Sequence, residues 1–187
     1  MAKSLATYNL ISSLFETGCV KKGDFTLNSG AKSDIYVDIK GAALNPLLLD
    51  LIVGSFAEIL KEISWDSLGC DEGPGPSAIV GAILYHYVRF DVPYSKYINS
   101  GFVIRKVVKD HGTQKSYEGN VGDRPVLIED VGTTGKSLVA AIEKMPVKPV
   151  AVLVVVDRQD GAREKMEAMG IPFHSLVTLN DLRFLKI

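Results

Sequence analysis

Residues 126–137 read VLIEDVGTTGKS. Three aliphatic residues (Val126, Leu127, Ile128) lead into two acids, Glu129 and Asp130. A short glycine- and threonine-rich turn follows, and then Lys136 and Ser137. The closing Gly-Lys-Ser is that of a nucleotide-binding P-loop, which needs a glycine five residues ahead of the last one. That position is Asp130, and the nearest glycine, Gly132, stands three residues before Gly135. A nucleoside triphosphate would therefore not find its cradle here. The local pattern is still that of a strand running into a glycine turn and then a helix. Glycines let backbone N–H groups turn inward, the hydroxyls of Thr133, Thr134 and Ser137 add donors, and a helix start offers unpaired amides. A loop this compact suits a single terminal phosphate monoester.

A strand–turn–helix capped by a threonine or serine would carry many of the same letters. The acids favour a ligand. Glu129 and Asp130 stand just before a phosphate cradle, where negative charge is costly unless it has its own task. Carboxylates accept hydrogen bonds from vicinal sugar hydroxyls, and they suit a sugar carbon on which positive charge develops. The chemistry that meets both halves of the stretch is a 5-phosphorylated ribose.

Outward from this stretch the chain alternates. Strands are expected near 66–70, 101–107, 125–131, 149–156 and 173–178, with helices near 77–89, 135–145 and 160–169. Such alternation predicts an α/β fold, a Rossmann-like parallel sheet flanked by helices. The first third differs. An amphipathic helix near 4–17 precedes two short runs, Phe25–Leu27 and Ile35–Ile39, around a turn-rich Asn-Ser-Gly, and Pro46 opens a helix over about 46–62. We expect a single domain over residues 1–187. Residues 1–45 would form an N-terminal helix and hairpin hood, and 46–187 the α/β core, with a mobile loop at about 105–119.

The 187 residues carry a formal net charge of −1, which argues against a general nucleic-acid binder. Positive charge is instead concentrated locally at Arg105, Lys106 and Lys109, with His111 close behind. This is what a diphosphate requires, although a solvated basic turn would look similar. The two cysteines, Cys19 and Cys70, make neither a disulfide framework nor a zinc site. Residues 150–156 are too short to span a bilayer, and the N-terminus is a poor signal peptide. A soluble cytoplasmic protein without membrane contact is expected. His86 and His174 lie in apolar segments without a metal-ligand partner and are read as structural.

Hydrophobic–hydrophobic–acid–acid–Val-x-Thr-Thr-Gly resembles the PRPP-binding motif of type I phosphoribosyltransferases. Three further stretches narrow the likeness: FTLNSGAKSDIYVD (25–38), RKVVKDHGT (105–113) and VVDRQDGAREKMEAMGIPFHSLVTLNDL (155–182). Together they resemble the orotate phosphoribosyltransferases over nearly the whole chain. The resemblance implies a type I phosphoribosyltransferase fold and Mg²⁺-dependent condensation of PRPP with orotate, giving orotidine 5′-monophosphate and pyrophosphate. It implies PRPP contacts at Arg105, Lys106, Lys109, His111, Glu129, Asp130, Val131, Gly132, Thr133, Thr134, Gly135, Lys136 and Ser137. Lys109, His111, Glu129 and Asp130 would be catalytic. Orotate would meet Thr133, Arg158, Tyr36 and Val37, although Arg158 read alone could equally pair with Asp157 or Asp160. The metal would have no direct protein ligand and would be carried by the PRPP diphosphate. The resemblance further implies a homodimer whose mobile loop reaches the neighbouring active site.

The chain departs from the family in three places. Asn28 replaces a common lysine, the segment at 69–77 is acidic through Asp71 and Glu72, and Gly132 stands where a β-branched residue is frequent. A transferase for another nucleobase, or a PRPP-sensing regulator without catalysis, would share the central motif. The first would not need Arg158 and the FTLNSG element together. The second would not need an intact Arg105–Lys106–Lys109–His111 set.

Overall fold

The computed structural model describes residues 5–26, 30, 32–90, 100–107 and 115–184. Its centre is a six-stranded sheet in the order β5-β4-β3-β6-β7-β8. The strands are β3 (Ser67–Asp71), β4 (Ser100–Ile104), β5 (Tyr117–Gly119), β6 (Pro125–Gly132), β7 (Ala151–Asp157) and β8 (Phe173–Thr178). All neighbours run parallel except β5, which pairs antiparallel with β4 at the edge. The expected parallel sheet is present, and the antiparallel edge is an addition. Tyr-Glu-Gly is too short and too polar to announce itself as a strand.

Helices cover both faces. α1 (Leu5–Glu16), α3 (Pro46–Leu60) and α4 (Pro74–Phe90) share one apolar cluster with Leu68, Val126, Ile128, Leu153 and Val155. α5 (Lys136–Ile142) and α6 (Ala162–Ala168) share the other with Leu127, Val152 and Val154. Successive residues of β6 and β7 thus face opposite layers, the period-two rule of a strand. Every residue of β7 is buried, as its unbroken apolar run requires for a strand covered on both sides.

The N-terminal third adds a two-stranded antiparallel hairpin, β1 (Val20–Thr26) and β2 (Lys32–Val37), with an irregular register between Lys22 and Phe25. The second run expected to extend to Ile39 ends earlier. Asp38 accepts the Gly41 N–H at 3.3 Å and caps a short helix, α2 (Ile39–Ala43). α3 starts as Pro46 predicts, and Asn45 accepts the N–H groups of Leu47 (3.0 Å) and Leu48 (3.2 Å). α4 starts three residues before the expected 77, because Pro74 and Pro76 fall in its first turn, where a missing N–H costs nothing. The C-terminal segment forms α7 (Leu179–Phe184). Both cysteines are free and buried. No helix among the described residues is long and apolar enough to cross a membrane.

Candidate active site at the strand ends

The order in which strands are added reverses between the parallel neighbours β3 and β6. From β3 the chain moves to β4 on one side, and from β6 it moves to β7 on the other. Such a reversal opens a crevice at the carboxyl ends of the two strands. The stretch 126–137 delivers its acids and glycine turn into that crevice.

Glu129 and Asp130 are half-buried at the end of β6. Each is held by backbone. Glu129 Oε1 accepts the Asp130 N–H at 3.0 Å, and Asp130 Oδ1 accepts the Val131 N–H at 2.8 Å. Asp130 lies over the start of α4 and beside Lys40 of α2. A Cβ at Gly75 would come within 3.1 Å of its Oδ2. Burial, and next the adjacent Asp130 carboxylate, push the Glu129 carboxyl up to about 8, and Asp71 at the end of β3 adds to the rise. The acidic departure at 69–77 therefore reinforces a negative pole at the crevice.

The turn beyond them is held from beneath by residues 158–165. The carbonyl of Gly132 accepts the Arg158 N–H (2.8 Å), and that of Thr133 accepts the Ala162 N–H (3.0 Å). The carbonyl of Thr134 accepts Lys165 Nζ at 2.7 Å. Three consecutive carbonyls thus face one way. In trans peptides the following amides, of Thr133, Thr134 and Gly135, face the other way. None of these three amides has an acceptor among the described residues. Gly135 has φ +72°, and a Cβ there would come 3.1 Å from Ala162 Cα, so both conformation and packing call for glycine. The Phe173 ring fills the space beside Gly132. Thr134, Lys136 and Ser137 are exposed around the loop. The open amides belong to the loop itself rather than to α5, which is only seven residues long.

Arg158 follows β7 and is buried, at 8% exposure. Its Nη2 donates to Ser33 Oγ of β2 at 3.4 Å, which ties the hairpin to the sheet. Its Nε stands 3.5 Å from Asp160 Oδ2, yet it has no hydrogen-bond acceptor among the described residues. Of the two ion pairs open to Arg158, the one with Asp160 forms. Asp157 instead pairs with Arg163 at 3.3 Å and accepts the Gln159 N–H at 2.8 Å. Asp157 thus steadies the turn in which Gln159 takes φ +60°. A buried guanidinium with a donor to spare is suited to a planar anion.

The other expected site residues are spread around this centre. Tyr36 and Val37 lie on β2 beyond Ser33, and Tyr36 is exposed with its ring 5.6 Å from that of Phe25. Arg105 is ion-paired with Glu118, and the Lys106 N–H donates to Glu72 Oε2 at 3.1 Å. Lys109, His111 and Asn28 lie outside the described residues. His86 packs against Tyr87 and Phe90, and His174 is held below its ordinary pKa by burial and then by Arg163. Ser33, Lys40, Gly75 and Lys165 border the site without having been singled out in the sequence. Ser33 and Lys165 lie inside the quoted stretches 25–38 and 155–182, Gly75 lies inside the segment 69–77, and Lys40 follows the first stretch by two residues. A separate hollow of 710 Å³, bordered by Glu58, Glu62, Arg124, Pro172 and His174, lies near the opposite ends of the strands.

No family model matches the chain. It is 37% identical over 180 residues to an orotate phosphoribosyltransferase of Pyrococcus abyssi, covering 92% of this chain and 93% of that one. It is 38% identical over 181 residues to one of Methanopyrus kandleri, covering 95% and 92%. The crystal structure of Mycobacterium tuberculosis orotate phosphoribosyltransferase in complex with PRPP superposes with a TM-score of 0.72 at 25% identity, over 96% of this chain and 99% of that one. The fold is therefore that of the type I phosphoribosyltransferases. Similarity that runs end to end, through the hairpin and the Arg158 turn as well as the central motif, places the chain in the orotate phosphoribosyltransferase family.

Proposed function

We propose that this protein transfers ribose 5-phosphate from PRPP to orotate, giving orotidine 5′-monophosphate and pyrophosphate in pyrimidine nucleotide synthesis. The observation that carries this reading is the juxtaposition at the β3–β6 crevice. Three open amides at Thr133–Gly135 follow shortly after the Glu129–Asp130 pair, with the spare donor of Arg158 just past the end of the neighbouring strand β7. The relatives named above carry the same activity in their names.

In this reading the loop from Val131 to Ser137 holds the 5-phosphate. Glu129 and Asp130 accept hydrogen bonds from the ribose hydroxyls and sit beside C1. N1 of orotate gives up its proton and bonds to that carbon as the carbon's bond to the diphosphate oxygen breaks, and the proton leaves with the diphosphate. Positive charge builds on the ring during this exchange, and fixed carboxylates stabilise it without reorganising. Arg158 meets the orotate carboxylate, with Thr133 and the backbone near Tyr36 and Val37 completing the base site. Arg105, Lys106, Lys109 and His111 face the diphosphate, and Lys109 and His111 neutralise or protonate it as it leaves. That loop is read as crossing into the active site of a second copy in a cytoplasmic homodimer.

Among the described residues no three His, Cys, Asp or Glu side chains converge to hold a metal by themselves. The oxygen-only donors gathered at the crevice do fit a hard divalent cation that arrives with the oxygens of a diphosphate. The diphosphate oxygens would carry it, and Asp71 at the end of β3 would face it without being a direct ligand. Bound in that way, Mg²⁺ supplies charge neutralisation of the diphosphate leaving group.

The test compares orotate and uracil as acceptors in the wild type and in Arg158→Ala, with PRPP and Mg²⁺, beside adenine and hypoxanthine. The wild type is expected to use orotate far better than any other base. Truncating one partner of a buried charge pair costs about 2–5 kcal/mol, so the variant should lose most of its preference over uracil while its KM for PRPP changes little. A wild type that prefers another base overturns the assignment. An orotate-to-uracil ratio unchanged in Arg158→Ala moves the base site elsewhere.

A further inference from the structure

We propose that Lys165 is a positioning residue for the 5-phosphate. Its ammonium locks the Thr134–Gly135 peptide so that the Gly135 amide faces the ligand. This rests on the reading of residues 131–137 as the phosphate loop.

Of the three bonds that turn the loop carbonyls downward, two are made by backbone amides, of Arg158 and Ala162, and are fixed by the fold. The third is made by a side chain, Lys165 Nζ to the Thr134 carbonyl at 2.7 Å. The peptide it holds is the one least able to hold itself. Gly135 sits at φ +72° and, as glycine, can take either sign of φ at little cost. Rotation of that one peptide plane would swing the Gly135 N–H away from its neighbours and present a carbonyl oxygen in its place. An acceptor in a phosphate cradle repels the ligand it should bind. The Lys165 stem is built for the contact. Its Cδ lies 3.4 Å from where a Cβ on Gly135 would stand, so the stem passes beside the loop although the residue is exposed. Ala162 donates its main-chain N–H from the start of α6, and Lys165, one turn further on, reaches the next carbonyl with its side chain. Lys165 therefore acts through the loop backbone and needs no contact with substrate.

Lys165→Met keeps the stem and removes the donor. Binding of ribose 5-phosphate and of pyrophosphate is measured by calorimetry in the wild type, Lys165→Met and Lys165→Arg. KM values for PRPP and orotate are measured alongside. The expected result is a loss of about 3- to 30-fold in ribose 5-phosphate affinity for Lys165→Met, the range for one charge-assisted hydrogen bond near the surface. Pyrophosphate affinity and the KM for orotate should stay within about twofold, the KM for PRPP should rise, and Lys165→Arg should recover most of the loss. Unchanged ribose 5-phosphate affinity in Lys165→Met overturns the proposal. An equal loss for pyrophosphate also overturns it, because Lys165 would then act as a general charge. If the wild type itself fails to bind ribose 5-phosphate, the reading of the loop falls and the proposal with it.

Discussion

Glu129 shows how a site residue makes itself felt in the free protein. Its half-buried carboxyl is pushed up from the ordinary 4.5 to about 8, by burial and then by the neighbouring Asp130. A carboxyl whose pKa is higher in the folded state than in the unfolded chain favours folding fully at low pH. That contribution is lost as pH rises through the folded value. The free protein should therefore lose stability between about pH 4.5 and about pH 8, as the fold is forced to accept a second buried negative charge. Glu129→Gln keeps the shape and removes the titration. Its melting temperature should exceed that of the wild type at pH 8.5, with the gap narrowing steadily toward pH 5. Parallel melting curves at both pH values would mean that Glu129 ionises freely. In the proposed reaction, a negative centre that is uncomfortable in the free protein would become favourable beside the ribose hydroxyls and the positive charge of the reacting ring.

The elements of the core were legible in the sequence because each carries its own periodicity. β7 reads as six apolar positions closed by Asp157, and α3 announces its start with Pro46. The acids and the glycine turn at the end of β6 were legible for a related reason, since they are contiguous. What the sequence withheld was either short or assembled from distant parts. α2 has five residues and β5 three, too few for a period to show. Ser33 meets Arg158 across 125 positions, and Lys165 meets Thr134 across 31, so no local pattern could have joined them. Capping offers a direct check at this scale. Asn45 satisfies two amides that α3 cannot pair internally. Asn45→Ala should cost about 1 kcal/mol of stability, seen as a melting point lowered by roughly 2–4 °C for a chain of this size. Asn45→Asp should retain most of it. The KM values should not move in either variant, because the cap lies on α3 and not on the strand ends. A kinetic change without a thermal one would show that this helix start reports to the site.

Across the whole molecule, the site is a meeting of parts drawn from separate elements, and the hairpin shares the main core through Val20 and Ile35. The hairpin reaches the sheet through Ser33 and Arg158, and it reaches α7 through the exposed pair Asp34–Arg183, with an Nη2–Oδ1 distance of 2.8 Å. Exposed pairs contribute little by themselves. The crevice meanwhile leaves the amides of Thr133–Gly135 and Nε of Arg158 without acceptors among the described residues. A ligand that supplies a phosphate to the loop and a carboxylate to Arg158 would therefore bridge the β6 end, the β7 turn and the hairpin at once. Orotidine 5′-monophosphate carries both groups, whereas uridine 5′-monophosphate carries only the phosphate. Anything that binds the folded state and not the unfolded chain stabilises it by RT ln(1 + [L]/Kd), about 2.7 kcal/mol at a hundredfold excess over Kd. For a chain of this size that corresponds to a rise of roughly 5–10 °C in melting temperature. The two nucleotides are compared at equal concentration, chosen at a hundred times the Kd of orotidine monophosphate. Orotidine monophosphate should give the full shift and uridine monophosphate a distinctly smaller one. In Arg158→Ala the two shifts should converge on the smaller value, because only the phosphate contacts remain. Equal shifts in the wild type would show that the loop binds phosphate without Arg158 reading the base, and the coupling of hairpin to sheet through the ligand would then be absent.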